Sequence, residues 1–351
     1  MKAAVWHGRG DVRIEHVPDP SDPRPGDALI EVARCGLCGS DRREFDEGPV
    51  LIPRGPHPLT GFAPPVVLGH EISGTVMAVG DEWARDLVGQ RVAVNPTRSC
   101  GRCEACRRGD PHLCQIAACL GVSCHGGLAT LVLAPVAGLV PLGDGVSDDA
   151  AALAEPLAVA LHAVDRGAVR LGDRVVISGF GPIGASVMLA AQAAGALEVV
   201  VVEPQPTRGR QAAELGATVI GSGRADDARS MRGFADVGFE CSGAPPALDA
   251  TVRLTRAGGR VVVAAVTHGV TEVSMRGVVL GERALLGTVG YRGDIARAVR
   301  LIDHGVLDVA PLISRALPLS AVPLWFSNPV DASEGLKVLI DPRAPDPSLH
   351  V

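Results

Sequence analysis

A cysteine two residues before a serine is the feature of this sequence that most directly suggests chemistry. Cys38 offers a soft metal ligand, and the Ser40 hydroxyl is close enough along the chain to accept a proton from a metal-bound alcohol. His70 and Glu71, 32 residues further on, add an imidazole and a carboxylate, the other ligand types of catalytic zinc. Taken singly, Cys38 is a small buried thiol and His70 a core histidine. Together they predict an open, three-ligand zinc site.

A second group of potential metal ligands is closely spaced. Cys100, Cys103, Cys106 and Cys114 follow the pattern C-x2-C-x2-C-x7-C. Reactive or redox thiols are the competing interpretation, but a closed four-thiolate site is the usual arrangement of structural zinc. The two-pair zinc ribbons that bind nucleic acid space their pairs about 15–20 residues apart, which this pattern does not. The sequence therefore predicts a structural zinc as well as a catalytic one.

A further carboxylate stands near the start of a predicted helix. The stretch from Asp148 to Ala168 is rich in alanine and has helical periodicity, and Pro156 is tolerated only near a helix start. Glu155 is therefore expected at the end of an ordered turn, where it could complete the catalytic metal site. The alternative is a structural role, in which the helix dipole favours the carboxylate.

A glycine-rich turn follows a short β-run at Arg174–Ser178. The spacing G-x-G-x-x-G is weak evidence by itself, since 43 glycines in 351 residues give about 0.6 chance matches. Here, however, a strand precedes it, a helix follows, and the next strand closes on an acid. Together these form a dinucleotide-binding unit, in which glycines let the backbone approach pyrophosphate at a helix N-terminus. The predicted cofactor-binding residues are Gly179, Gly181, Pro182, Ile183, Gly184, Glu203 and Arg208.

The acid at the end of the second strand bears on which dinucleotide binds. The Glu203 carboxylate would accept hydrogen bonds from the adenosine ribose hydroxyls and repel a 2′-phosphate, which favours NAD over NADP. Arg208 either flanks the adenosine or is a solvated charge, and it keeps NADP open. The sequence thus predicts NAD, with NADP as the less favoured cofactor.

Length, composition and charge exclude several classes of protein. A chain of 351 residues predicts about two domains, and 47% hydrophobic residues describe an ordered globule. The net charge of −6 provides no electrostatic footprint for nucleic acid or anionic lipid. The chain start becomes polar too soon for a signal peptide, and apolar runs are too short to span a membrane. We therefore expect a cytoplasmic protein with no nucleic-acid or membrane partner. In that reducing compartment, nine cysteines favour metal ligands over disulfides.

The secondary-structure elements that must position these residues lie in two regions with different sequence patterns. Short β-runs broken by proline and glycine predict a β-rich first domain, and the proline-rich loop from Gly48 to Pro65 is expected to border the substrate. From Arg174 onward, six strand-like runs alternate with helices, which predicts a doubly wound parallel sheet. The tail from Pro311 to Val351 has the β-like texture of the first domain and is expected to return to it.

In this order, the residues resemble the zinc-dependent medium-chain dehydrogenase/reductase superfamily, nearest its 2,3-butanediol and sorbitol dehydrogenase branch. The motifs are Cys35-Gly36-Leu37-Cys38-Gly39-Ser40-Asp41, His57-Pro58-Leu59-Thr60-Gly61 leading to Val66-Val67-Leu68-Gly69-His70-Glu71, Glu155-Pro156-Leu157, and Gly179 to Gly184. The resemblance covers essentially the whole chain. It implies an α/β protein with a GroES-like β-barrel catalytic domain and an inserted, doubly wound parallel Rossmann domain. The expected bounds are 1–153 with a zinc lobe near 96–116, then 154–290 for the Rossmann domain, and 291–351 for the return to the catalytic domain.

The resemblance also implies roles for these residues. Cys38, His70 and Glu155 would hold the catalytic zinc, with Glu71 as a possible alternate ligand. The four clustered cysteines would hold the structural zinc, which makes two zinc ions per chain. The implied activity is NAD-dependent oxidation of a secondary alcohol, vicinal diol or polyol, or reduction of the matching ketone, with Ser40 accepting the proton. A homodimer or homotetramer acting on a small-molecule alcohol or ketone is expected.

One position departs from the family pattern and leaves alternatives open. Arg43 occupies the place where the family commonly has a histidine that ends a proton relay, and arginine stays protonated near neutral pH. Either protons leave through water, or another group such as His57 serves, or Arg43 binds an anionic substrate or cofactor phosphate. Two other functions stay open: a biosynthetic tailoring dehydrogenase for a cyclitol, sugar or other specialised alcohol, and a nucleotide-binding protein that has lost catalysis.

Overall fold

Two sheet systems organise the chain in the computed structural model, which describes residues 1–221, 230–267, 269–328 and 336–346. The N-terminal strands and the last two strands build a β-barrel part. The strands between them form a separate parallel sheet. The two sequence patterns therefore correspond to two different kinds of sheet.

Ten short strands of the N-terminal region form most of the barrel part. They are β1 (Lys2–Gly8), β2 (Asp11–His16), β3 (Asp27–Gly36), β4 (Val66–Val67), β5 (Glu71–Val79), β6 (Arg91–Val94), β7 (Thr97–Arg98), β8 (Ala118–Cys119), β9 (Leu131–Pro135) and β10 (Leu139–Pro141). The largest barrel sheet contains β3, β5, β6, β9 and β10. Alternating residues of β3 and β5 fill its core, because successive side chains of a strand face opposite sides: Ile30, Val32, Ile72 and Val76 are at most 1% exposed.

The predicted six-stranded parallel sheet is confirmed. Its strands are β11 (Arg174–Ser178), β12 (Glu198–Val202), β13 (Thr218–Ile220), β14 (Ala235–Glu240), β15 (Thr255–Val263) and β16 (Ala284–Gly287). They lie in the order β13-β12-β11-β14-β15-β16, and every pairing is parallel. The strand order therefore reverses beside β11, and ligands of such sheets bind in the crevice beyond the carboxyl ends of the strands at that point.

The described helices are α1 (Gly39–Glu47), α2 (Glu104–Arg107), α3 (Asp148–Ala152), α4 (Ala154–Arg166), α5 (Pro182–Ala193), α6 (Pro206–Glu214), α7 (Ala247–Leu254), α8 (Met275–Leu280), α9 (Asp294–Asp303) and α10 (Val322–Ser327). The helix predicted from Asp148 to Ala168 is two helices, α3 and α4, separated at Leu153. Pro156 explains the break, because it has no N–H to donate to the carbonyl four residues earlier. Each helix in the described part of the chain is too short or too polar to span a lipid bilayer.

Helix α1 was not predicted from the sequence. It is mostly polar and lacks the apolar periodicity that identifies a helix, and its buried side chains are the acids Asp41 and Glu44. Cys38 is the N-cap, and its N–H donates to the Asp41 carboxylate, which stabilises the first turn. The predicted loop from Gly48 to Pro65 contains no helix or strand, as expected.

The C-terminal tail returns to the barrel, as predicted. β17 (Ile313–Pro318) pairs with β18 (Lys337–Asp341), and β18 lies antiparallel to β3. Residues 329–335 and 347–351 of the tail are outside the described residues. The pairing brings the beginning of β18 next to the end of β3, from which the chain enters the Cys38 motif.

Candidate active site

The end of β3 and the start of β5 bring three potential metal ligands together. The register of the two strands puts Gly36 opposite Glu71. A Cβ atom on Gly36 would lie 2.0 Å from Oε2 of Glu71, so a glycine is needed to leave room for that carboxylate. As a result, ligand atoms of Cys38, His70 and Glu71 all lie within 4.8 Å of one another.

Buried negative charge surrounds His70. The His70 side chain is 9% exposed, and its Nδ1 lies 3.5 Å from Oδ1 of Asp41, whose side chain is 2% exposed. Burial alone would lower the pKa of His70, but Asp41 and Cys38 outweigh it and raise that pKa well above its usual value. The same negative charges that favour the protonated imidazole would also favour a metal cation at this place. Asp41 lies directly beside Ser40 in sequence, yet the sequence analysis did not assign it a role.

The donor set fits a catalytic zinc ion. Oε2 of Glu71 is buried and has no hydrogen-bond partner among the described residues. A thiol, an imidazole and a carboxylate oxygen without a partner are the donors that open zinc sites use. The second oxygen of Glu71 accepts a hydrogen bond from Nζ of Lys337 at 2.6 Å. One oxygen of this carboxylate is therefore held in place, while the other has no partner among the described residues.

Lys337 is a site residue that the sequence analysis missed. It is 2% exposed, at the start of β18, and its ammonium also donates to the carbonyl of Leu37 at 3.1 Å. Burial lowers the pKa of Lys337, but the nearby Glu71 charge more than compensates, and the pKa is raised. A signal was present in the sequence: a lysine inside the apolar run Leu336-Lys337-Val338-Leu339-Ile340 needs a buried partner.

Glu155 lies near this cluster but does not belong to the group within 4.8 Å. It is in the first turn of α4, as expected, and is partly buried. Burial raises the pKa of Glu155 to about 7, and the charges of His70, Glu71 and Lys337 act on it as well. Of the two carboxylates, Glu71 therefore belongs to the group of ligand atoms with the cysteine and histidine, and Glu155 does not.

The predicted proton acceptor is beside the cluster. Oγ of Ser40 lies 3.5 Å from Nε2 of His70. Arg43 is one helical turn further along α1, with its Nε 3.8 Å from Oε2 of Glu47. His57 is in the proline-rich loop, where its Nδ1 accepts a hydrogen bond from the Leu59 N–H at 3.3 Å.

The four clustered cysteines converge around a single point. Their sulfur atoms lie within 4.8 Å of one another, and the Sγ atoms of Cys103 and Cys106 are 3.5 Å apart. The Cys103 N–H donates to Sγ of Cys100, and the Cys100 N–H donates to Sγ of Cys114. Backbone donors of this kind favour thiolates. The Cys106 backbone N–H is the main cause that lowers the pKa of Cys103 to about 6. The donor set fits a closed structural zinc site.

The glycine turn has the geometry that a dinucleotide requires. Gly179 adopts φ +94°, and a Cβ on Gly184 would lie 2.0 Å from the Gly179 carbonyl oxygen, so both must be glycine. A Cβ on Gly181 would meet nothing within 4 Å, which leaves the helix N-terminus open for close approach by a pyrophosphate. Gly179 and Gly181 line a pocket of about 550 Å³. Pro182, Ile183 and Gly184 form the first turn of α5 behind it.

Glu203 and Arg208 line the same pocket. The Glu203 carboxylate accepts hydrogen bonds from the N–H groups of Phe180 and Gln205, both at 2.8 Å. It therefore ties the glycine turn to the second strand, and each of its oxygens can still accept another bond. Nε of Arg208 is buried without a hydrogen-bond partner among the described residues.

Comparison with known proteins shows what the chain is similar to. Residues 24–144 match the family model of the alcohol dehydrogenase GroES-like domain, and residues 182–304 match that of zinc-binding dehydrogenase. The (R,R)-butanediol dehydrogenase of Bacillus subtilis (strain 168) is 34% identical over 98% of this chain and 100% of its own length. The sorbitol dehydrogenase of Homo sapiens is 31% identical over 98% of this chain and 97% of its own.

Among solved structures, a zinc-binding dehydrogenase from Sinorhizobium meliloti 1021 bound to NADP has a TM-score of 0.88. It is 32% identical, and the match covers 97% of this chain and 99% of that one. The likeness thus extends over both sheet systems and is not limited to the nucleotide-binding part. The chain belongs to the zinc-dependent medium-chain dehydrogenase/reductase superfamily, in the branch of the butanediol and sorbitol dehydrogenases, and is an oxidoreductase.

Proposed function

We propose that the enzyme is an NAD-dependent zinc dehydrogenase that oxidises a secondary alcohol, vicinal diol or polyol, or reduces the matching ketone. The observation that carries this proposal is the convergence of Cys38, His70 and Glu71 within 4.8 Å beside the Ser40 hydroxyl. The full-length similarity to butanediol and sorbitol dehydrogenases supports the substrate class.

The roles follow from the positions of the side chains. A zinc ion bound here would supply a Lewis acid that favours loss of the alcohol proton, and a bound nicotinamide would supply the hydride acceptor. Cys38 and His70 hold the metal, together with a carboxylate from Glu71 or Glu155. Asp41 orients the imidazole of His70, since carboxylates next to ligating histidines fix the ring and its tautomer. Ser40 accepts the substrate proton.

Removal of one ligand tests this assignment. In a panel of 2,3-butanediol, sorbitol and simple secondary alcohols with NAD, the wild type should turn over at least one diol or polyol. Cys38→Ala should lose that turnover and one of two zinc ions while remaining folded by circular dichroism. Cys124→Ala is the matched control, because the Cys124 sulfur contacts the Cys119 carbonyl and belongs to neither group of potential metal ligands. Full zinc-dependent turnover in Cys38→Ala would overturn the assignment.

A preference for NAD is part of the proposal. Glu203 presents a carboxylate at the adenosine pocket, and a 2′-phosphate there would be repelled. The unpartnered Nε of Arg208 lies in the same pocket and would attract such a phosphate once the carboxylate is removed. Kinetics with both cofactors decide between them.

Arg43 favours a narrower substrate class, an alcohol that carries an anionic group. Ser40 and Arg43 are three residues apart on α1 and therefore share a face of the helix. An arginine on the face of the proton acceptor would suit an alcohol that carries an anionic group, or the cofactor phosphates. Turnover of a sugar acid or sugar phosphate, with no turnover of neutral diols, would identify this variant.

We further propose that the protein is a homodimer or homotetramer assembled through an edge of the parallel sheet. β16 is the last strand of that sheet, and Leu285 on it is 41% exposed. Met275, Val279 and Leu280 of the adjacent α8 are also exposed. An apolar strand edge that pairs with no further strand in the described part of the chain is suited to pairing with a second copy. Leu285→Asp should lower the mass measured by light scattering; an unchanged mass would reject this interface.

The boundaries 1–153, 154–290 and 291–351 remain our proposed division into catalytic, Rossmann and returning catalytic segments. A cytoplasmic location is also proposed, because a four-thiol zinc site assembles from reduced cysteines. An isolated 154–290 fragment that folds and binds NADH would support the division. Insoluble or unfolded fragments at all neighbouring boundaries would count against it.

A further inference from the structure

The glycine turn after β11 has an acidic residue on each side of it. β12 and β14 are the two strands that pair with β11; Glu203 directly follows β12, and Glu240 is the last residue of β14. Glu203 lines the dinucleotide pocket, whereas Glu240 is 2% exposed and is not among the described residues that line it. A buried carboxylate needs polar partners, and these partners show what Glu240 holds in place.

One oxygen of Glu240 accepts three hydrogen bonds from the loop that follows β14. Oε1 accepts the Ser242 N–H at 2.8 Å, the Ser242 hydroxyl at 2.7 Å and the Gly243 N–H at 2.8 Å. Oγ of Ser242 in turn accepts the Ala244 N–H at 3.1 Å. Gly243 adopts φ +68°, in the left-handed region that favours glycine. Hydrogen bonds to a carboxylate are stronger than those between neutral groups, so Glu240 fixes the conformation of this loop.

The same loop forms one wall of the dinucleotide pocket. Cys241, Ser242 and Ala244 line the pocket of about 550 Å³ together with the glycine turn. A Cβ atom on Gly179 would lie 2.7 Å from Cβ of Ser242, so the loop packs directly on the first glycine of that turn. The width of the pocket beside Gly179 therefore depends on where Ser242 is held.

We propose that Glu240 is a positioning residue for the dinucleotide, whose carboxylate holds Ser242 and Gly243 and so keeps the wall of the pocket against the glycine turn. Glu240 lies behind this wall and acts through the loop. Its role differs from that of Glu203, which faces the pocket and discriminates between NAD and NADP. Because the wall is common to both dinucleotides, loss of Glu240 should weaken the two alike. The inference rests on the dinucleotide pocket of the proposed function, and its test needs no alcohol.

Two variants of Glu240 and one matched control test this role. Glu240→Ala removes the acceptor, and Glu240→Gln keeps an oxygen acceptor but removes the charge. The control is Glu44→Ala in the barrel part. Glu44 is also 2% exposed, and its carboxylate also accepts three hydrogen bonds, from the N–H groups of residues 50–52. The two alanine variants should therefore lose similar stability in urea unfolding. A difference in dinucleotide affinity then reports positioning of the pocket wall.

Fluorescence titrations with NADH and with NADPH measure the affinities in the absence of substrate. Glu240→Ala should raise both dissociation constants by about 10- to 100-fold with their ratio unchanged, since a binding geometry is lost when the residues that hold it are removed. Glu240→Gln should raise both by less, because its amide oxygen still accepts hydrogen bonds. Glu44→Ala should leave both unchanged. In steady-state kinetics, Glu240→Ala should raise the KM for the cofactor while the protein keeps both zinc ions.

The possible outcomes separate this role from a structural one. Unchanged dinucleotide affinity in Glu240→Ala, or an equal loss of affinity in Glu44→Ala, would show that Glu240 is structural only. A loss confined to one of the two dinucleotides would overturn the action through the loop. If Glu240→Ala does not fold, Glu240→Gln decides by the same comparison. If the wild type oxidised no alcohol, the proposed function would fail, but the NADH titrations would still decide the role of Glu240.

Discussion

The buried ion pair between Lys337 and Glu71 allows a sharp test of how this site is stabilised. Lys337 and Lys2 are the two lysines of the chain. Lys337 is 2% exposed and pairs with a fully buried carboxylate at 2.6 Å. Lys2 pairs with Asp346 at the surface, where the two side chains are 34% and 49% exposed. The same change, lysine to methionine, therefore breaks a buried pair in one case and an exposed pair in the other.

The expected sizes of the two effects differ by several-fold. Charges 2.6 Å apart attract by about 6 kcal/mol at an effective dielectric constant of 20, and desolvation offsets part of this. Breaking a buried pair by removing one partner costs about 3–5 kcal/mol, because the remaining charge is left uncompensated. An exposed pair contributes about 0–1 kcal/mol. We therefore expect Lys337→Met to destabilise strongly and Lys2→Met hardly at all.

Urea unfolding of the protein without its catalytic zinc, which would itself compensate the Glu71 charge, measures both free energies by circular dichroism. Lys337→Met should lower the unfolding midpoint far more than Lys2→Met, and raising the salt concentration should reduce only the Lys2 effect, since buried pairs are screened little. Losses below about 1 kcal/mol in both variants would refute the reasoning, because Glu71 would then tolerate burial without its partner.

Three further changes test other parts of the molecule. Cys103→Ser should reduce bound zinc from two ions per chain to one and lower the melting temperature. The NADH affinity of the folded fraction, measured by fluorescence, should stay unchanged. Retention of both zinc ions would contradict a closed four-thiol site. Glu203→Ser should shift the ratio of kcat/KM for NAD and NADP toward NADP by about 10- to 1000-fold, and an unmoved ratio would exclude Glu203 as the discriminating residue. Partial burial lowers the pKa of His125 below 6.5, and Nδ1 of His125 accepts the Val67 N–H at 3.1 Å. The folded state therefore binds a proton at His125 less well than the unfolded chain does. The free energy of unfolding should therefore fall as the pH drops below about 6.5, and His125→Asn, which keeps an acceptor, should flatten that dependence; an equal slope in the variant would contradict it.

Much of the architecture could be predicted from local patterns along the chain. The four clustered cysteines are close in sequence, and a single short loop brings their sulfurs together. The glycine turn is similarly local, because a strand, three glycines and a helix N-terminus suffice to build it. Six strands with intervening helices could be read in order, since each apolar run is a continuous segment. These features depend on neighbours within about 30 residues, the span of one strand–helix–strand unit.

The catalytic cluster depends on contacts that no local pattern contains. Which carboxylate lies closest to Cys38 and His70 is decided by the register of β3 against β5, which puts Glu71 opposite Gly36. Lys337 reaches Glu71 only because the last strand pairs with β3, about 300 residues away in sequence. Its charge was visible in the sequence, but its partner was not.

Asp41 and His70 show the same division between sequence and fold. Asp41 lies on α1 and His70 directly before β5, and Nδ1 of His70 comes within 3.5 Å of Oδ1 of Asp41 only when both elements have formed and packed together. Residue types and spacing thus determined what chemistry this chain can perform and which local units carry it. The tertiary structure decided which charged groups face one another, because ion pairs and buried hydrogen bonds are set by distances in space, and strand register and packing establish those distances.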